Sequence, residues 1–283
     1  MEQGEDMQDH TGIDWDDAFA NRPYIDQAGS FTDAWATCAR SFRETAQDAR
    51  LDLRYGTPPR EAFDLFLPAD TPPKGAVVFV HGGYWMAFDK SSWSHLAQGA
   101  LARGWAVALP QYTLAPNARI DQMTGQIGRA ITEIARHVVG PIMLSGHSAG
   151  GHLVTRMVCD DTPLPPDVRA RMRHVLSISG LHDLRPLQMT AMNTTLGLTD
   201  QTAQSESPAL LRPLGGVAVT VWVGGHERPE FLRQSALLRE AWSRCGTPVR
   251  LVVDEGLHHF NVIDGLEHAD SMLTRALLQL PEG

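Results

Sequence analysis

The sequence predicts an α/β protein built on a mostly parallel sheet with helices on both faces. Three observations carry this. From Ala62 onward, short apolar runs alternate with helical stretches of about 10–16 residues, the pattern of βαβ units. The run Gly75 to Val80 (GAVVFV) is continuously apolar, as in a strand buried on both faces. The glycine- and histidine-bearing segments fall just after predicted strands, at the carboxyl edge where open parallel sheets place their ligand sites.

Residues 1–55 read as an N-terminal helical extension packed on the main unit. Its helix is expected from Phe31 to Leu53, with Trp35, Cys38, Phe42 and Ala46 on one face. Residues 56–283 read as one structural unit. Strands are expected at Phe63 to Leu67, Gly75 to Val80, Ala106 to Leu109, Pro141 to Ser145, His174 to Ser179, Val217 to Val223 and Val249 to Val253. Helices are expected at Ser94 to Arg103, Met123 to Val138, Gly151 to Cys159, Phe231 to Cys245 and Ser271 to Leu280. The segment 187–214 breaks the rhythm. It reads either as an insertion near the site, forming a lid wall, or as an ordinary connection with a short helix.

Bulk properties exclude several classes. The chain has 283 residues, 43% hydrophobic and 20% charged, which is ordinary for a globular domain. Its formal net charge of −9 disfavours nucleic acid and anionic membranes as partners. The start, MEQGEDMQDHTGIDWDD, has no basic or apolar leader pattern, and no run of 18 apolar residues follows; a cytoplasmic protein is expected. The three cysteines, Cys38, Cys159 and Cys245, form no metal or redox pattern and are expected as small buried hydrophobes. No cofactor is expected, and a homodimer is compatible with the sequence.

Gly146-His147-Ser148-Ala149-Gly150 is a G-x-S-x-G element between a strand (PIMLS) and a helix (GHLVTRMVC). By composition alone such a pattern arises in a chain this long roughly one time in ten, so its setting decides its meaning. A sharp strand-to-helix turn lifts the serine hydroxyl above the sheet, and the following helix aims N–H groups at developing negative charge. Ser148 is therefore the expected nucleophile, on an α/β-hydrolase fold with a small lid or insertion.

His81-Gly82-Gly83-Tyr84-Trp85 follows the strand GAVVFV. An HGGG-type loop in that place donates backbone N–H groups to the oxyanion. The donors map to Gly83 and Tyr84, joined by Ala149. Trp85 is expected to line the substrate pocket, and His81 to brace the loop. A metal reading of His147, His152 and the His258-His259 pair lacks carboxylate or cysteine ligands at suitable spacing.

In this fold the order is serine, acid, histidine. The strand RLVVD leads into EGLHHFNVID, which offers His258 and His259; His259, directly before Phe260, is the expected base. The acid should follow VAVTVWV, where Glu227 is the only carboxylate before Glu230; Asp183, after an earlier strand, is the rival. His226 and His258 are assigned to the pocket.

Together these residues resemble the kynurenine formamidase (arylformamidase) branch of the α/β hydrolases, near the carboxylesterases of hormone-sensitive-lipase type. The resemblance rests on HGGxW at His81 to Trp85, on GHSAG, on Arg228-Pro229-Glu230-Phe231 in the place of SPEF, and on His259-Phe260. It extends to Tyr112-Thr113-Leu114-Ala115-Pro116, similar to YRLAP, and to Asn21-Arg22, similar to the family's NNR. Two features depart from the family. The acid is Glu where Asp is commoner, and His226 replaces a small or apolar residue. The resemblance implies a metal-independent hydrolase acting on N-formylkynurenine-like formyl amides in tryptophan catabolism. The alternative is a carboxylesterase for short-chain or aryl esters. A binding protein on an inactive hydrolase scaffold would not need an intact serine, base, acid and oxyanion loop.

Overall fold

Alternation along the strands divides the apolar core in two. Ala76, Val78 and Val80 face one cluster while Val77 and Phe79 face the other. The next strand repeats this, with Ala106 and Ala108 on one side and Val107 and Leu109 on the other. Strands buried on both faces read as unbroken apolar runs for this reason.

The computed structural model describes residues 12–69 and 71–281. Residues 1–11 of the N-terminal stretch read for a leader, and 282–283 of the expected main unit, lie outside the described residues. The elements run α1 (Trp15–Ala18), α2 (Ala28–Thr45), β1 (Asp48–Arg54), β2 (Ala62–Leu67), β3 (Ala76–Val80), α3 (Gln98–Ala102) and β4 (Ala106–Pro110). They continue as α4 (Ile120–His137), β5 (Ile142–His147), α5 (Ala149–Arg156), α6 (Pro166–Arg169), β6 (Met172–Ile178), α7 (Asn193–Leu196) and α8 (Asp200–Ser205). Last come β7 (Ala218–Gly224), α9 (Pro229–Arg244), β8 (Val249–Asp254) and α10 (Met272–Leu277).

The sheet has eight strands in the order β1-β2-β4-β3-β5-β6-β7-β8. β2 is antiparallel to both β1 and β4, and the pairs from β4 to β8 are parallel. One face is covered by α4, α5 and α9, through Ile127, Ile131, Leu153, Leu238 and Trp242. The other is covered by α2, α3 and α10, through Trp35, Ala100, Leu273 and Leu277. α4 shows why such a helix forms. Ile120, Met123, Ile127, Ile131 and Ile134 recur at three- and four-residue spacing and are buried, and the Gln122 side chain caps the Arg119 N–H at 2.9 Å. α9 starts with Pro229 at its first position, where a missing N–H costs nothing.

The helix expected to reach Leu53 stops at Thr45, and residues 48–54 form the edge strand β1. Its sequence, DARLDLR, alternates polar and apolar residues, a strand period rather than a helix period. The register shifts between Arg50 and Leu53, where Asp52 takes φ 56°, so the strand carries a bulge.

The segment 187–214 contains α7, α8 and short 3₁₀ turns. Leu187, Leu196 and Leu198 are buried with the core beneath α5. Glu206 is also buried. Its carboxylate accepts from Thr124 Oγ1 at 2.6 Å and Arg156 Nε at 3.1 Å, and its carbonyl lies 2.7 Å from His152 Nε2. Cys159 is buried as expected, but Cys38 and Cys245 are exposed. Among the described residues no helix is long and apolar enough to cross a membrane.

Candidate active site

β5 ends at His147, and α5 begins at Ala149, leaving Ser148 alone to make the turn. Ser148 has φ 55° and ψ −119°, a conformation that side-chain-bearing residues rarely adopt and that costs on the order of 1–3 kcal/mol. Packing imposes it. The Ser148 N–H donates to Ile178 O at the end of β6 (2.8 Å), and Gly150 sits so close to β3 that an added Cβ would lie 1.9 Å from Val80 O. Ser148 is 2% exposed.

The loop after β3 approaches the same turn. A Cβ on Gly82 would meet His147 O at 2.8 Å and Ser148 Cβ at 3.0 Å, so only glycine allows this contact. Three consecutive residues then have positive φ: Gly83 (105°), Tyr84 (51°) and Trp85 (58°). Gly83 O accepts from Met86 and Ala87, at 2.9 and 3.0 Å. Among the described residues, the N–H groups of Gly83 and Tyr84 find no acceptor in the chain. The Ala149 N–H opens α5, where the first N–H groups lack intrahelical partners. Of the loop after β3, Gly82 is the residue that touches Ser148.

His81 lies flat on Tyr112 with ring centroids 4.6 Å apart, and its Nδ1 is 2.7 Å from Gly82 O. Burial pushes its pKa down to about 4, so the ring is neutral and Nδ1–H donates to that carbonyl. Trp85, expected on the pocket wall, has no exposed surface. It is packed in the core with its ring edge-on to His152 at 5.3 Å, on a backbone with φ 58°.

His259 is buried, and its Nδ1 lies 2.6 Å from Glu227 Oε2. The other carboxylate oxygen of Glu227 accepts from Gly224 N at 2.8 Å and from Ser179 Oγ. Phe231, at the start of α9, packs against the His259 ring at 4.5 Å. Asp183, the rival acid, is turned away. Its carboxylate is engaged on both oxygens by Arg185, at 2.9 Å each. Glu230 is likewise held by Arg233 at 2.7 Å.

Of the two histidines assigned to the pocket, His258 is half-buried, edge-on to Phe31 at 5.2 Å, with its pKa lowered chiefly by burial. His226 is exposed, and its N–H donates to Leu257 O at 2.9 Å.

Sequence reasoning missed two contributors. Ser179 (φ 50°) bonds the acid from the end of β6; its only signal was its place just after a strand. His147 lies 4.6 Å from the His259 ring and places its Nε2 2.9 Å from His259 O. Burial, then the neighbouring His259, holds the His147 pKa well below the usual value. The ring is therefore neutral and donates Nε2–H to that carbonyl. His152 is also neutral, pushed down to about 3 by burial. Among the described residues, no group of three or more His, Cys, Asp or Glu is placed to hold a metal ion.

The arrangement brings a hydroxyl on a strained turn, a carboxylate-bonded imidazole and a glycine loop in contact with the serine to one edge of the sheet. Those are the parts of nucleophilic acyl transfer.

Comparison with known proteins agrees with this fold. Residues 77–262 match a family described as having the alpha/beta hydrolase fold. A kynurenine formamidase from Danio rerio is 30% identical over 86% of this chain and 84% of its own length. One from Drosophila melanogaster is 27% identical over 80% and 79%. A solved structure from Silicibacter sp., described provisionally as a thioesterase, shares 50% identity over 94% of this chain and all of its own, with a TM-score of 0.90. A Pyrobaculum calidifontis esterase shares the fold at 17% identity, with a TM-score of 0.71 over 89% of this chain and 90% of its own.

Proposed function

We propose that this chain, which belongs to the α/β-hydrolase family and is kin to the kynurenine formamidases, is a serine hydrolase that removes a formyl group from an aromatic amine, as in N-formylkynurenine. The observation that carries the mechanism is the 2.6 Å contact between His259 Nδ1 and Glu227, at the edge where Ser148 makes its strained turn.

In this reading His259 Nε2 takes the proton from Ser148 Oγ as the oxygen attacks the formyl carbon. Glu227 holds the imidazole through Nδ1 and stabilises its cationic form. The tetrahedral oxyanion accepts from the N–H groups of Gly83, Tyr84 and Ala149; one such donor is typically worth about 10²–10³ in rate. The intermediate collapses as His259 returns the proton to the leaving amine, giving a formyl-enzyme on Ser148. Water, deprotonated by the same histidine, attacks the formyl ester; as the bond to Ser148 Oγ breaks, His259 returns the proton to that oxygen and formate is released. No cofactor enters these steps.

A second reading shares every step and differs in substrate. The 50% identity to a provisionally described thioesterase favours cleavage of a small ester or thioester.

The two readings separate in a comparison of kcat/KM for N-formylkynurenine, p-nitrophenyl acetate, p-nitrophenyl butyrate and an acetyl thioester. Formamidase action predicts a preference of tenfold or more for the formyl amide; a ranking led by the ester or thioester replaces it with the second reading. Ser148→Ala should abolish turnover of all four while leaving the fold intact, and activity within about tenfold of wild type would sink both readings.

A further inference from the structure

The oxyanion loop runs through three positive-φ residues, two of which carry large side chains. The left-handed region costs such residues roughly 1–2 kcal/mol each, so the loop keeps this path only where its surroundings fix it. Trp85 is fixed from below: its ring is buried in the core and its carbonyl accepts from Ala115 N at 2.9 Å. Tyr84 is fixed from above, by the N-terminal segment. Its hydroxyl donates to Phe19 O at 2.6 Å and accepts from Asn21 Nδ2 at 3.1 Å. Burial raises the Tyr84 pKa, which keeps the hydroxyl protonated as a donor.

The segment that supplies these partners is anchored independently. Phe19 and Asn21 are buried, and the Phe19 ring packs on Trp15 at 6.1 Å and on Phe231 at 6.3 Å. Phe231 in turn packs on His259. Asp17 pairs with Arg228, whose guanidinium lies 3.6 Å over the Tyr24 ring. The segment is therefore tied to the turn that carries Glu227 and, through Tyr84, to the loop that carries the oxyanion donors.

We infer that Tyr84, through its side chain, and Asn21 are positioning residues for the oxyanion hole, which makes the N-terminal segment around Phe19 and Asn21 a working part of the catalytic centre. The inference rests on the serine-hydrolase reading above. Loss of the Tyr84 hydroxyl leaves the peptide between Gly83 and Tyr84 free to rotate out of its left-handed path. The donors then miss the oxyanion, while contacts to the ground-state substrate persist. Such a change lowers kcat and leaves KM alone.

The experiment compares Tyr84→Phe, Asn21→Ala and wild type on the best substrate found above. Active sites are counted by stoichiometric labelling with a serine-directed organophosphonate, so that unfolded protein does not enter the rates. Expected are kcat losses of roughly 10–100-fold for Tyr84→Phe and about tenfold for Asn21→Ala, with KM within threefold. Affinity for a boronic acid, which forms a tetrahedral adduct on the serine, should fall by the same factor as kcat. Affinity for the product amine should not change. If Tyr84→Phe keeps kcat within twofold per labelled site, or if its loss lies in KM alone, the inference is overturned, while a dead Ser148→Ala keeps the underlying reading standing. If Ser148→Ala is active, the underlying reading fails first.

Discussion

Two turns at the carboxyl edge of the sheet each bury a carboxylate. After β6, Asp183 meets the Arg185 guanidinium on both oxygens, and the backbone N–H groups of His182 and Asp183 converge on Gln234 Oε1 at 2.7 Å. After β7, Glu227 meets His259 on one oxygen and Ser179 with Gly224 on the other. Both groups are almost fully enclosed, at 4% and 8% exposure, so burial does not distinguish them. Their partners do. A guanidinium is always charged, so its pairing with Asp183 is static and serves the shape of the turn. An imidazole gains and loses charge near neutral pH, so the carboxylate opposite it can respond to a proton transfer.

The largest expected effect tests that contrast directly. Glu227→Gln keeps the size and removes the charge, and kcat should fall by about 10³–10⁴ with little change in KM. Should Asp183→Asn be the crippling change instead, the contrast is reversed and the acid is misassigned.

Acid sharpens it next. Burial lowers the pKa of His81, His95 and His174 to about 4 and of His152 and His182 to about 3, and holds His147 well below the usual value. In the unfolded chain each protonates near 6.5. Below about pH 6.5 the unfolded state therefore binds more protons, and stability falls as pH falls. Each of these histidines adds to the loss as pH falls toward its folded value. Stability should be flat from pH 7 to 8 and clearly lower at pH 5. Equal urea midpoints at pH 7.5 and 5 would contradict it.

His147→Ala removes one hydrogen bond to the His259 carbonyl. A net bond is worth about 1 kcal/mol, so kcat should drop roughly tenfold or less at constant KM. An effect confined to KM would place His147 on the substrate instead of behind the base. The smallest effect on rate is expected for Asp183→Asn. kcat should stay within about threefold while the thermal midpoint falls by a few degrees, as read by matched kinetic and melting runs.

Much of this was legible because it is local. The strand before Ser148, the turn itself and the helix after it occupy about fifteen consecutive residues, and each carries its own signal. The same holds for GAVVFV and the HGG loop. Glu227, the carboxylate that meets His259, was reached by elimination within one turn. What escaped was long-range or weakly patterned. β1 is a bulged edge strand with little burial, so its alternation was masked by the alanine-rich helix before it. The burial of Trp85 goes with backbone angles that no residue type announces. Ser179, His147 and the bond between Asn21 and Tyr84 join residues that are 48, 112 and 63 positions from their partners, and spacing along the chain says nothing about such pairs.

The glycine contacts around Ser148 have a consequence for change. With the Gly150 site 1.9 Å from Val80 O and the Gly82 site 2.8 Å from His147 O, main chain rests on main chain with no side chain between. The contact between the nucleophile turn and the Gly82 end of the oxyanion loop is thus a mechanical stop set by main-chain atoms, whereas the Gly83–Tyr84 peptide beyond it is held through side chains. Mutational drift can change the exposed His226 or the half-buried rings of Phe31 and Phe260 without touching these glycine contacts. Side chains around the site can vary while the contact between the two turns is inherited unchanged.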